Sequence, residues 1–292
     1  MSDATAIAAA LGAALVFGVS TVADQRSTKR VKSRGPTSPK IFLDLVRQPL
    51  WIASVGGTLL GFALQVLALR FGPLALVEPI LVCDLIFAVL INTFLRRAWD
   101  TKLISGVAAT VLGVAGFLAV ARPTAGNTSV GFIVVLPLAA GLAAGIFGCM
   151  IVARRSDALR PLALALACGI NYGVAAFLVK VVVSPHHGGL VGILTNWPIY
   201  ALAVVGPVGY LFNETAFQQG TLIAPVLSII TVCDPLISIA LAYLWLNEKL
   251  SSSPAAIVGE ILFLALMIVG IVSVAERAPH VTQQHMQRPE SP

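Results

Sequence analysis

LALVEPILVCDLIFAVLINTFL, residues 74–95, decides the fold class. As an α-helix rising 1.5 Å per residue, the stretch would extend about 33 Å, the depth of a bilayer's hydrocarbon. Its charged groups are two acids, Glu78 and Asp84. The Val-Cys-Asp signature returns in TVCDPLISIA, residues 231–240, with Asp234. A hydrophobic run that holds a carboxylate in its interior, and does so twice, needs an explanation.

The rest of the chain has the same character. Of 292 residues, 58% are hydrophobic and 11% charged, and mean hydropathy is +0.92. Soluble domains are about 25% charged, so a water-soluble fold is excluded. Transmembrane barrels show short alternating segments, whereas here the apolar runs reach helix-spanning length. The expectation is an all-α polytopic membrane protein. Nine spans are expected at roughly 4–23, 50–70, 74–95, 103–121, 130–153, 161–183, 198–218, 222–246 and 254–275. Asp3 precedes the first apolar run without a basic region, so that run is expected to be a retained span. Trp51, Trp197 and Trp245 stand at span ends, as interfacial anchors do. Cys83, Cys149, Cys168 and Cys233 all lie in apolar runs and are expected to be packing residues.

Charge orients the spans. QRSTKRVKSRGPTSPK (25–40) carries Arg26, Lys29, Arg30, Lys32, Arg34 and Lys40, whereas SPHHGGLVGILTNW (184–197) has neither Lys nor Arg. Basic loops stay cytoplasmic, so the N-terminus is expected outside and the C-terminus inside the plasma membrane. Arg122 and Lys249 are the exceptions to this rule. The formal net charge of +6 then reflects topology and contact with anionic lipid head groups. Nucleic-acid binding would want base-stacking aromatics among the charges, and these loops lack them. The 25–49 loop is expected to be mobile, and residues 276–292 a disordered cytoplasmic tail.

The neighbourhoods of the two aspartates match as a diverged internal repeat, one copy in residues 1–121 and the other in 122–275. By the charge rule the loop after Asp84 is inside and the loop after Asp234 outside, so the copies cross in opposite directions. Inverted repeats of this kind are typical of secondary transporters, whose substrate site lies near mid-bilayer. Charges there cost about 2.5–3.5 kcal/mol on insertion scales and face the bundle interior. Asp84 and Asp234 are the primary candidates for a substrate or ion site and for metal contact. Glu78, Asn213, Glu214 and Gln65 would complete an oxygen-rich lining. The bland alternative is a protonated, hydrogen-bonded acid that only fixes packing. Pro235, next to Asp234, is expected to open its helix. Lys180 and Glu260, near span ends, are expected to snorkel to the interface.

Enzyme chemistry finds no support. All four histidines, His186, His187, His280 and His285, lie outside the spans, and no phosphate-binding Gly-rich loop is present.

QPLWIASVGGTLLGFALQVLALRFGPLALVEPILVCDLIFAVLINTFL, the following GVAATVLGVAGFLAV and the ending PLISIALAYLWLNEKLSSSPAAIVGEILFLALMIVGIVSV resemble the drug/metabolite transporter superfamily. The turn FGPLALVEP and NETAFQQGTLIAPVLS are similar to NIPA-type magnesium transporters. The resemblance covers about residues 4–275 and implies a carrier without a cofactor. It also puts a divalent cation among the candidate substrates.

Three readings stand. One is a secondary transporter of a small solute or cation, another a magnesium or divalent-cation transporter, and the third a non-transporting membrane scaffold. GGTLLG, GVAG and GLAAG offer small-residue faces for packing within one chain or in a homodimer. The topology is directly testable. A cysteine at position 33 should resist an impermeant thiol reagent applied outside intact cells, and one at position 188 should react. The reverse pattern would reject the orientation.

Overall fold

Hydrocarbon offers the backbone no water to bond, so a spanning segment must satisfy its own N–H and C=O groups as helix. The computed structural model describes residues 2–30, 48–96, 101–126, 132–184, 194–218, 223–251 and 253–284. Every regular element among them is helical: α1 (Ser2–Arg30), α2 (Pro49–Phe71), α3 (Leu74–Leu81), α4 (Cys83–Arg96), α5 (Thr101–Ala121), α6 (Phe132–Arg155), α7 (Arg160–Val182), α8 (Trp197–Gln218), α9 (Ile223–Trp245) and α10 (Pro254–Gln284). Among the described residues, seven segments are long and apolar enough to cross a membrane: Asp3–Ala23, Pro49–Phe71, Leu74–Leu95, Thr101–Ala121, Arg160–Val182, Pro225–Trp245 and Pro254–Glu276. The chain therefore has the build of an integral membrane protein. α6 and α8, of 24 and 22 residues, occupy the positions of the other two expected spans.

Three sequence expectations need adjustment. The 74–95 stretch is two helices, α3 and α4, interrupted at Val82. Pro79 lies inside α3 and has no N–H to bond the carbonyl of Ala75. The basic loop begins later than expected, because α1 runs on to Arg30; residues 31–47 lie outside the described residues, as do 185–193. The tail expected to be disordered is helical at its start, with α10 continuing past Glu276 to Gln284; residues 285–292 lie outside the described residues.

Lipid tails are as apolar as leucine, so helix association relies on close packing at small residues. The most extensive helix contacts are α1 with α2 and α5 with α10, followed by α7 with α8 and α9. On α5, a Cβ at Gly113 would stand 2.5 Å from the Met267 backbone nitrogen, and one at Gly106 would stand 3.2 Å from that of Val274. Thr110 fills the space opposite Gly270. Partner numbers fall as α5 advances, so the two helices are antiparallel. GVAG thus packs within the chain, and so does GGTLLG, whose Gly57 and Gly61 meet Ser20 and Phe17 of α1. In GLAAG, by contrast, Gly141 has nothing within 4 Å. The main core gathers Phe117, Phe177, Leu69, Leu74, Leu103, Leu246, Met267 and Ile271 from both halves of the chain.

Contacts among the helix ends define two faces. Ala6 lies against Gly72. Thr124 N–H donates to Lys249 O at 3.0 Å, and Ser251 N–H to Ala121 O at 2.9 Å. The start of α1, the 71–73 turn, the end of α5 and the 246–251 loop therefore share one face, called here the Gly72 face. Arg122 (φ 42°) and Asn247 (φ 50°) turn the chain there in left-handed conformation. Antiparallel pairing puts Lys102 and Glu276 together at the opposite face, beside a cavity of about 200 Å³ that Ser105 and Ser273 also line.

The α5–α10 contact leaves no room for a side chain at Gly113. Gly113→Val should destabilise the detergent-solubilised protein by about 1–3 kcal/mol, the usual effect of overpacking. Thermal unfolding would detect it, with Gly56→Ala, where nothing lies within 4 Å, as a control expected to change little.

Candidate functional site

The kink at Pro79 shapes the first acidic site. α3 is almost wholly enclosed, with every residue from Leu74 to Ile80 buried. Glu78 is 3% exposed, and its Oε1 accepts a hydrogen bond from Gln65 Nε2 of α2 at 3.3 Å. After the break at Val82 the chain restarts as α4, with Asp84 in the first turn. Its Oδ1 accepts the backbone N–H of Leu85.

The second site is built differently. α9 runs unbroken through Asp234 and Pro235. Pro235 leaves the Thr231 carbonyl without its helical donor. Ser238, fully buried, donates to Asp234 O at 2.8 Å and lies 3.5 Å from its Oδ1. The expectation that Pro235 opens the helix at Asp234 is thus corrected, since the interruption falls at Val82, beside Asp84. The physical reason is position. Pro79 sits two residues before the end of a short α3, whereas Pro235 lies mid-helix with neighbouring turns intact on both sides.

α3 starts at the Gly72 face and α9 ends there, so the two spans run in opposite directions, and they pack on each other. Glu78, Asp84 and Asp234 lie within electrostatic reach of one another. Their surroundings also match. A Cβ on Gly18 of α1 would stand 2.8 Å from Asp84 O and 2.7 Å from Phe87 Cβ. A Cβ on Gly173 of α7 would stand 3.0 Å from Asp234 O and 2.7 Å from Ile237 Cβ. Each glycine follows an aromatic residue and precedes valine, in Phe17-Gly18-Val19 and Tyr172-Gly173-Val174. Each Val-Cys-Asp copy therefore leans its backbone on the glycine of an aromatic-Gly-Val step.

The remaining candidates are less involved. Asn213 is half-buried on α8, which packs chiefly on α7, and the side chain of Glu214 lies outside the described residues. No group of three or more His, Cys, Asp or Glu side chains among the described residues is arranged to hold a metal ion. All four cysteines are free, and Cys168 Sγ lies 3.6 Å from Gly209 O.

Lys180 departs from expectation. Only 7% exposed, it does not snorkel: Nζ donates to Leu69 O at 2.7 Å and to Gly72 O at 2.6 Å, where α2 ends. Facing it across the same turn is Glu248, which no pattern in the sequence singles out. Glu248 is 1% exposed and accepts the N–H groups of Leu74, at 2.8 Å, and Ala75, at 2.9 Å, on its two oxygens. One residue thus caps the end of α2 and the other the start of α3, each sign matching the helix dipole it meets. Burial pushes the Glu248 pKa above its usual range, while the two amides and the Lys180 ammonium pull part of the way back.

Comparison with known proteins adds length and little chemistry. The chain is 28% identical over 286 residues to an uncharacterised protein of Corynebacterium glutamicum, a match covering 94% of this chain and 96% of that one. No family model and no solved structure matches it.

Removing either cap leaves two buried backbone groups of this turn without their partner. Glu248→Ala and Lys180→Ala are each expected to destabilise by about 1–3 kcal/mol for each group left unpaired. The double variant should lose less than the sum, because the two groups share one turn. Chemical unfolding of the four proteins in detergent would measure the coupling, and strict additivity would show that the groups act independently.

Proposed function

We propose that this chain is a secondary transporter that moves a small solute or cation across the plasma membrane. It has nine spans in an inverted repeat, an outer N-terminus and a cytoplasmic C-terminus. The observation that carries the reading is the matched pair of acidic sites. Asp84 and Asp234 lie on antiparallel spans, each with its carbonyl against a glycine in an aromatic-Gly-Val step. Glu78 adds a third carboxyl within electrostatic reach. Two related halves that cross in opposite directions can expose one central site to each side in turn. A scaffold has no use for three interacting carboxyls in hydrocarbon, each of which is expensive to insert.

The acids suit a cationic substrate or a coupling proton. Magnesium is the alternative substrate that the resemblance to NIPA-type carriers brings in. Mg²⁺ keeps several of its waters and binds through one or two carboxylates. Asp84 and Asp234 would meet such a hydrated ion without a full protein cage. Gln65 would orient Glu78, and no cofactor enters.

The test is transport by the purified protein in liposomes, against a panel of divalent cations and amines, with and without a pH gradient. Asp84→Asn and Asp234→Asn keep shape and hydrogen bonding but remove the charge and the titratable proton. Each should slow transport by about tenfold or more, equivalent to about 1.4 kcal/mol at the barrier, with insertion unaltered. Wild-type rates in both variants would make the aspartates packing residues.

A further inference from the structure

We propose that Lys180 and Glu248 form the closed gate on the Gly72 face of the transport pathway, with α3 as the element they release. The inference rests on the carrier reading above and extends it to the moving part.

α3 is built to move as a piece. It is eight residues long, set off by the Gly72-Pro73 turn at one end and the interruption at Val82 at the other. It carries Glu78 and leads directly into Asp84, so any displacement of α3 shifts two of the three acids. Its first turn is gripped from outside its own half of the chain. Glu248 holds the N–H groups of Leu74 and Ala75, and Lys180 holds the carbonyls of Leu69 and Gly72 just before them.

Two features separate a gate from a static cap. First, neutral Ser, Thr or Asn side chains cap helix starts well, yet this turn uses buried groups of opposite sign within electrostatic reach of each other. A buried charge of this kind is stable while it holds its backbone partners or once water reaches it, and unfavourable in between. That is the behaviour of an element with two discrete arrangements. Second, both groups come from the second half of the chain and converge on a turn of the first. Rocking one half against the other therefore has to part them.

The experiment places a single cysteine at Ala75, which is 1% exposed. Cys83, Cys149 and Cys233 are replaced by alanine, and Cys168, fully buried between helices, is kept as an internal control. An impermeant thiol reagent is applied to right-side-out and inside-out vesicles. With the pair intact, position 75 should be protected. Glu248→Gln and Lys180→Gln should each raise labelling at position 75 about tenfold or more from the Gly72 side, and Cys168 should stay protected. Glu248→Asp, whose shorter side chain keeps the charge but cannot reach both amides, should do the same. Unchanged labelling in all three variants, or labelling that rises equally at Cys168, overturns the gate. This readout needs no substrate. Labelling that rises in a protein that transports nothing in the panel would count against the carrier alone, and unchanged labelling in an active carrier against the gate alone.

Discussion

Inside hydrocarbon, a backbone N–H or C=O without a partner costs several kcal/mol, and this constraint governs the molecule most severely where helices stop. The turn from α2 to α3 is such a place, since Leu69 and Gly72 at the end of α2 and Leu74 and Ala75 at the start of α3 are buried. Loose carbonyls at one end find the Lys180 ammonium, and loose amides at the other find the Glu248 carboxylate. With those ends satisfied, α3 can sit wholly within the protein and carry Glu78 to Gln65. The chain can then break at Val82 and begin α4 with Asp84 in its first turn. The geometry of the acidic site thus descends from a pair of caps outside it.

The architecture was largely legible in the sequence because the bilayer imposes length and polarity on each span independently. Runs such as LALVEPILVCDLIFAVLINTFL announce themselves without reference to any neighbour. Asp84, Asp234 and Glu78 were legible for a related reason, since an acid is conspicuous among leucines and valines. Lys180 and Glu248 were not. A lysine near a span end ordinarily reaches water, and an acid in a short loop ordinarily stands in it. What buries both is the docking of a turn more than a hundred residues away in the chain, which no local pattern records. The site of helix interruption was misplaced for a similar reason. Both Val-Cys-Asp stretches have a proline near the acid, and only the position of Pro79 close to the end of α3 turns it into a break.

The two acidic sites share their setting and differ in detail. Both carbonyls press on a glycine, at Gly18 and at Gly173. Yet Asp84 begins a helix and bonds to its own neighbour's amide, whereas Asp234 lies within one and is attended by Ser238. The same side chain is thus held by two different sets of partners, one local to its own turn and one a buried hydroxyl a turn further along the helix.

The α5–α10 seam also bears on how the protein is made. Gly106 and Gly113 are complementary to Val274 and Met267 of α10, more than a hundred residues further along the chain. During synthesis α5 enters the membrane with a notched face and nothing to fill it until α10 has followed. That seam can close only after the intervening helices are in place. A nascent chain stalled before α10 would present an open, small-residue groove to the lipid and to any helix nearby.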